Sequence, residues 1–253
     1  MFKSSLLAAL LAMLPLSTKA QPATLPPTLV EAWLAWQDVR QATDTPPFDW
    51  AYSFALRTHD AVTLEAHQAR LAAELTGVAA VVAAAGERAT AQGLNAWALA
   101  VAKHTPLHAR TPTPLGLPEL ARDLRHNPAM ATITLLGTCA PPAWIEAWTR
   151  LGVERLAWQP GMTLASALDA LPAGATRDID TVDVITPQGE RHTRGIAAWN
   201  YQPAPLAPGA RVVIQLPERG LGGTREGDVI NRELASWLTT RLPGDDCELW
   251  KVP

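Results

Sequence analysis

Hydrophobic positions in this chain change period several times, and each change marks an element. Leu29, Val30, Trp33 and Leu34 recur at helical spacing behind Thr28 and Glu31, which occupy the two positions of a capping box. A helix is therefore predicted through Gln37, and Thr45 with the two prolines after it ends that region. Asp60 is then placed to cap a long helix whose stripe is Leu64, Leu71, Leu75, Val78 and Val82. Gly86 breaks it, and a second helix runs to about Lys103 with Leu94, Trp97, Ala98 and Val101 inward. Together they predict an antiparallel helical hairpin over about residues 60–104. Pro106, Pro112, Pro114 and Pro118 exclude a continuous helix or a central strand after it. The expectation there is an extended linker with a short helix over 118–124.

Past residue 130 the pattern shortens. Residues 132–137 form a β-branched and aliphatic run closed by Gly137, and 158–161 form a Pro-Gly turn. Thr163 is placed to cap a short helix through Leu164, Ala167, Leu168 and Leu171. Strands follow at 181–186 and 191–196 around the turn 187–190, and a last one at 211–216 after Pro208 and Gly209. The order strand, strand, helix, then strands is that of a β-grasp unit spanning 131–217, with 132–137 as its first strand. Such a unit suits binding or assembly. A glycine-rich stretch, 218–227, precedes Asp228, which is placed to cap an amphipathic helix with Ile230, Leu234, Trp237, Leu238 and Leu242 on its apolar face. Arg232, Glu233 and Arg241 are expected on the other face, and packing back on its own domain is favoured over a helix left free for a membrane.

Composition narrows the setting. Residues 1–20 have the pattern of a cleavable export signal: Lys3, an apolar core of about eleven residues, and a cleavage site ending in Ala20. That core is too short to span a bilayer, and no other stretch is long and apolar enough to do so. Gln21, not Cys, stands immediately after the cleavage site, which argues against a lipid anchor. A periplasmic or secreted chain beginning near Gln21 is expected. Losing Lys3 and Lys19 leaves about 19 basic residues against 24 acidic ones, so the mature chain is acidic and unsuited to nucleic acid. Ten tryptophans invite a carbohydrate reading, since indole rings can stack on sugars. The helical spacing of Trp33, Trp36, Trp97 and Trp237 favours core positions for those four.

Motifs for chemistry are sparse. No nucleophile elbow surrounds Ser53, Ser166 or Ser236, and the glycines at 220, 222 and 223 lack the Lys and Ser/Thr of a phosphate loop. His104 and His108 have helical metal-ligand spacing, but Pro106 breaks the turn between them and no Glu completes a zinc motif. Asp178, Asp180 and Asp183 could suggest paired catalytic carboxylates. The first two read as turn residues, and alternation with Val182 and Val184 is expected to turn Asp183 toward solvent. No catalytic residue, metal or cofactor is expected.

Residues 133–137, 158–161, 184–190, 197–200, 208–210 and 230–243, in that order and spacing, resemble the GfcC-type family of capsule and exopolysaccharide biosynthesis proteins. Pro208-Gly209 ahead of an apolar strand is also similar to β-grasp modules of outer-membrane polysaccharide export proteins. The resemblance implies an α+β chain with two β-grasp-like domains, the first (21–130) carrying the helical hairpin, plus a C-terminal amphipathic helix. Between Gln21 and Thr28 no clear strand pair opens that first domain, so a truncated or rearranged form is expected. The resemblance further implies a non-enzymatic periplasmic accessory protein in polysaccharide assembly or export. Its partners would be an outer-membrane polysaccharide export protein or a related envelope protein, with the polymer as a further candidate contact. The alternative is a periplasmic polysaccharide lyase or hydrolase. Family members carry an arginine at the place of Arg110, where bidentate pairing could recognise an acidic sugar or a partner carboxylate, or form an interdomain ion pair. Finally, Cys139 and Cys247 share an oxidising compartment, and a bridge between them would staple the tail to the domain. The other possibility is a buried, unpaired Cys139 with Cys247 in a loose tail.

Overall fold

In the computed structural model, residues 26–105, 108–217 and 226–251 are described; the expected export signal lies outside them, as does most of the glycine-rich stretch before the last helix. The first helix, α1 (Leu29–Ala42), starts where local chemistry says it should. The Thr28 side chain accepts from the Glu31 amide while the Glu31 carboxylate accepts from the Thr28 amide. Strand β1 (Ser53–Arg57) follows, then the helical hairpin α2 (Thr58–Ala84) and α3 (Arg88–Lys103), turned at Gly86 with φ +89°. A short helix α4 (Leu117–Arg122) leads into β2 (Ile133–Cys139), β3 (Trp144–Thr149) and β4 (Gly152–Ala157). Helix α5 (Leu164–Asp169) is opened by a second capping box, Thr163 with Ser166. The chain ends in β5 (Thr181–Ile185), β6 (Arg191–Gly195), β7 (Arg211–Ile214), α6 (Gly227–Thr239) and β8 (Cys247–Lys251).

These elements form a mixed α+β structure with two sheets. One has three strands in the order β1-β2-β8, all antiparallel. The other has five in the order β4-β3-β7-β5-β6, in which only β3 and β7 run parallel. The helical hairpin is inserted between the first two strands of the small sheet. Trp33 and Trp36 of α1 and Leu120 of α4 cover one face of that sheet, against Ala55 and Leu136. Phe54, Leu56, Leu135 and Leu242 fill its other face. The large sheet is covered on both sides. Leu164 and Ala167 of α5 pack with Val182, Val184 and Val212, and α2, α3 and α6 close on Trp148, Ile185 and Val213. Gly93 of α3 meets the turn between β3 and β4, where an added Cβ would collide with the Arg150 carbonyl.

Several expectations change here. Residues 132–137 are a strand, but β2 is the centre of the small sheet, and β3 takes the place expected for it beside β7. A residue pattern reports that a strand is buried, not which sheet buries it. Strands β1 and β8 differ from the expectation, and where one further strand without bounds is expected before the helix at 164, two are found, β3 and β4; in β3 the charged Glu146 interrupts the apolar run. Asp60 does not cap α2, which starts two residues earlier with Arg57 at the cap; its carboxylate accepts instead from the Thr111 hydroxyl. Asp228 does not cap α6 either. It sits in the first turn, 3.3 Å from Arg232, and the cap position is Glu226. Asp183 does not face solvent. It is fully buried because both faces of the large sheet are covered, and Arg191, Thr193 and Gln215 donate to it at 2.8, 2.8 and 3.2 Å.

The tail is ordered by pairing. Cys139 stands opposite Cys247 at the end of the β2–β8 ladder, and their sulfurs are placed at bonding distance. The expected outcome of thiol titration on denatured, unreduced protein is no free thiol. Reduction should destabilise the fold by about 2–5 kcal/mol, as for a bridge closing a long loop. Two free thiols per chain would remove the bridge.

Candidate functional site

Arg110 is held by two elements that lie far from it in sequence. Ala109 bridges to Arg241, the Arg110 amide donates to the Thr240 carbonyl at 2.8 Å, and the Thr111 amide donates to Ala55 at 2.9 Å. This short extended segment therefore lies between the end of α6 and strand β1. The Arg110 guanidinium donates through Nε to the Thr239 carbonyl at 2.9 Å and through Nη1 to the Pro187 carbonyl. It thus supplies donors to a carbonyl left free at the end of α6, where a cation is also favoured by the helix dipole. Through Pro187 it ties that helix end to the β5–β6 turn. Gly189 in the turn has φ +90°, and an added Cβ would lie 2.7 Å from both Arg110 Nη2 and the Thr239 carbonyl.

Neither sequence-based expectation for Arg110 describes these contacts. Among the described residues it has no carboxylate within ion-pair distance; its partners are carbonyls. It is 3% exposed and borders a void of only about 10 Å³, room for at most one water.

Two further arginines come to the same region. Arg211, the first residue of β7, is 4% exposed; it donates through Nη2 to the Leu242 carbonyl at 2.8 Å. Its Nε lies 3.6 Å from Oε1 of Glu146, its partner in the parallel β3–β7 register. Arg241, expected on the polar face of the last helix, is instead 1% exposed just beyond it. Its guanidinium stacks on Trp237, 4.6 Å from the ring centre, and donates to the Thr240 hydroxyl at 2.9 Å. Nη2 of Arg110, and Nε and Nη1 of both Arg211 and Arg241, have no hydrogen-bond partner. Burial and mutual repulsion lower the pKa of Arg110 and of Arg241 to about 9, so both remain charged at neutral pH.

Only Glu146 is a buried carboxylate in this group, and it is shared. Oε1 accepts from Trp148 Nε1 at 2.7 Å, and Oε2 lies 3.4 Å from Arg155 Nε. Arg155 also forms a bidentate pair with the exposed Asp245, at 2.6 and 3.1 Å, and stacks on Trp144. Beside this network a cleft of about 160 Å³ is lined by His104, His108, Arg155, Arg211 and Asp245, with Leu242 and Leu249 as apolar wall. The two histidines singled out in the sequence therefore do share a site. However, no group of three or more His, Cys, Asp or Glu among the described residues is placed to hold a metal. His104 lies edge-on to Trp237 at 5.1 Å. Burial, then repulsion from Arg241 and Arg211, pushes its pKa down to about 4.

The other candidates are dispersed. Asp178 and Asp180 are exposed while Asp183 is interior, so the three acids do not frame a common bond. Trp33, Trp36, Trp97 and Trp237 are all buried, whereas Trp199 is 77% exposed. Ile230, Leu234, Trp237, Leu238 and Leu242 are all buried too, the first four in one core with α2 and α3. No helix among the described residues is long and apolar enough to cross a membrane. Nothing in the sequence near Arg211 or Arg241 pointed to the cluster; their convergence depends on the parallel register and on where α6 ends.

The large sheet is closed by helices, and a buried arginine cluster gathers at one end of its central strand β7. Residues 153–243 match the family model described as capsule biosynthesis GfcC C-terminal. The matched span contains Arg155, Gly189, Arg211 and Arg241, and also α6.

Two predictions follow from the geometry. Arg110→Ala should destabilise the fold by about 1–3 kcal/mol for each carbonyl left without its donor, and Gly189→Ala by a similar amount through strain. In denaturant melts the pair should be non-additive, since they act on one contact. For His104, the folded state holds the neutral form down to about pH 4, while the unfolded chain protonates from its ordinary value of 6.5. Its contribution to stability is therefore complete above pH 6.5 and declines as pH falls toward 4. His104→Gln should show a shallower loss of stability than wild type across that window.

Proposed function

We propose that this chain is a non-enzymatic accessory protein of the cell envelope that serves capsule or exopolysaccharide assembly or export. The observation that carries this reading is the match of residues 153–243 to a capsule biosynthesis family. The sheet order supports it. A hairpin, a helix, a second hairpin and a last strand parallel to the first at the sheet centre is the β-grasp arrangement, which displays edges and loops for binding. On this reading the export signal in residues 1–20 delivers the chain to the periplasm, and the three-stranded sheet with its helical-hairpin insert is a reduced first β-grasp domain. Its partners are then an outer-membrane polysaccharide export protein or a related envelope protein, with the polymer as a second contact. Helix α6 serves as a structural element of the protein itself, since its apolar face is used in the core.

Deleting the gene should abolish or strongly reduce surface polysaccharide, with restoration by the wild-type copy. Purified protein should release neither reducing ends nor unsaturated sugars from the native polymer. Unchanged surface polysaccharide would remove the capsule role, and polymer turnover would replace it with the lyase or hydrolase alternative.

A further inference from the structure

We infer that the cleft between His104, His108, Arg155 and Arg211 is a binding site for a compact oxyanion, either a sugar carboxylate or a phosphate group. The inference starts from charge. Arg110, Arg155, Arg211 and Arg241 converge on one region whose carboxylates are Glu146 and Asp245. Three of the four guanidiniums are almost completely buried, and a buried cation without a counter-charge is strongly unfavourable. Glu146 is divided among Trp148, Arg155 and Arg211, and Asp245 is engaged by Arg155 and Trp144. Neither can neutralise the remaining excess. An incoming anion can.

The second observation is the unfilled donor capacity. Arg211 lines the cleft, is 4% exposed, and has Nε and Nη1 without a hydrogen-bond partner. A planar guanidinium matches a carboxylate or phosphate better than it matches a neutral hydroxyl, although Nε of Arg211 already faces Glu146 Oε1 at 3.6 Å and both unpartnered nitrogens are buried. Arg155 reaches the same cleft from β4, and its side chain is half-exposed, so the site is open to solvent on that side. His104 and His108 add ring nitrogens to the wall, and Leu242 and Leu249 add an apolar surface on which a ring could rest. About 160 Å³ holds roughly five waters, enough for an oxyanion and part of a sugar ring.

Assigning the anion to an acidic residue of a surface polysaccharide rests on the proposed function; anion binding itself does not. The test is titration of the purified protein with D-glucuronate, inorganic phosphate and D-glucose in turn, followed by calorimetry and by the NMR signals of Trp144 and His104. Glucuronate should bind in the millimolar range and glucose should not. Arg155→Gln and Arg211→Lys should each weaken glucuronate about tenfold, the expected loss for one charge-assisted contact. Arg155 is a half-exposed residue, so its variant keeps the test valid if the Arg211 variant fails to fold. Arg194→Gln, away from the cleft, should bind as wild type. Phosphate binding without glucuronate binding would uphold the oxyanion site and identify phosphate as its ligand. Equal affinity for glucose, no response to either anion, or binding untouched by Arg155→Gln would overturn the inference. Because binding is read on pure protein, its failure is separate from any failure of the capsule phenotype.

Discussion

The burial of α6 is the constraint on which most of this architecture depends. Ile230, Leu234, Trp237 and Leu238 enter the same core as Leu71, Leu75, Trp97 and Trp148, so one helix joins the inserted hairpin to the large sheet. Trp237 and Trp148 lie 6.1 Å apart, and Trp148 and Trp97 5.9 Å, both in edge-to-face geometry. Fully burying such side chains removes large apolar areas from water, at about 25 cal/mol per Å². Asn231 fastens the helix to the strand end: its side chain exchanges two hydrogen bonds of 2.8 Å with the backbone of Leu216. With α6 so placed, the chain beyond it is directed past β3 and back along β2, where β8 completes the small sheet.

The end of α6 is also where the structure concentrates its charge. Thr239, Thr240 and Leu242 each present a carbonyl there, and Arg110 and Arg211 donate to them. Arginine suits this task because its planar fork reaches two acceptors at once and stays charged when buried. The consequence is an interior with more cations than carboxylates, relieved only in part by Glu146 and by the stack of Arg241 on Trp237. Low dielectric makes that imbalance costly and also makes the region responsive to an added anion. The same surroundings keep His104 neutral at physiological pH.

Function, on this view, comes from placement. The region matched to the capsule biosynthesis family carries α6, the glycine turn that accommodates Arg110, and both Arg211 and Arg241. The unit that surrounds them presents a free strand edge at β6 and an exposed Trp199 in the loop beyond it.

Local signals in the sequence determined local structure. The capping box at Thr28, the cap at Thr163, the apolar stripes of α2, α3 and α6, the break at Gly86 and the turn 187–190 were legible because each depends on residues within one or two turns of chain. Tertiary structure decided the rest. Only strand pairing places β2 in the small sheet and β3 beside β7, since an apolar run is equally buried in either. Only the double covering of the large sheet explains why Asp183 is interior despite its alternation with valines. Arg110, Arg211 and Arg241 come from three distant parts of the chain; Arg110 stands out only through the family resemblance, and Arg241 reads as a cation on the polar face of a helix. Their meeting is set by the parallel register and by the point at which α6 ends, and long-range geometry of that kind leaves no periodic mark on the sequence.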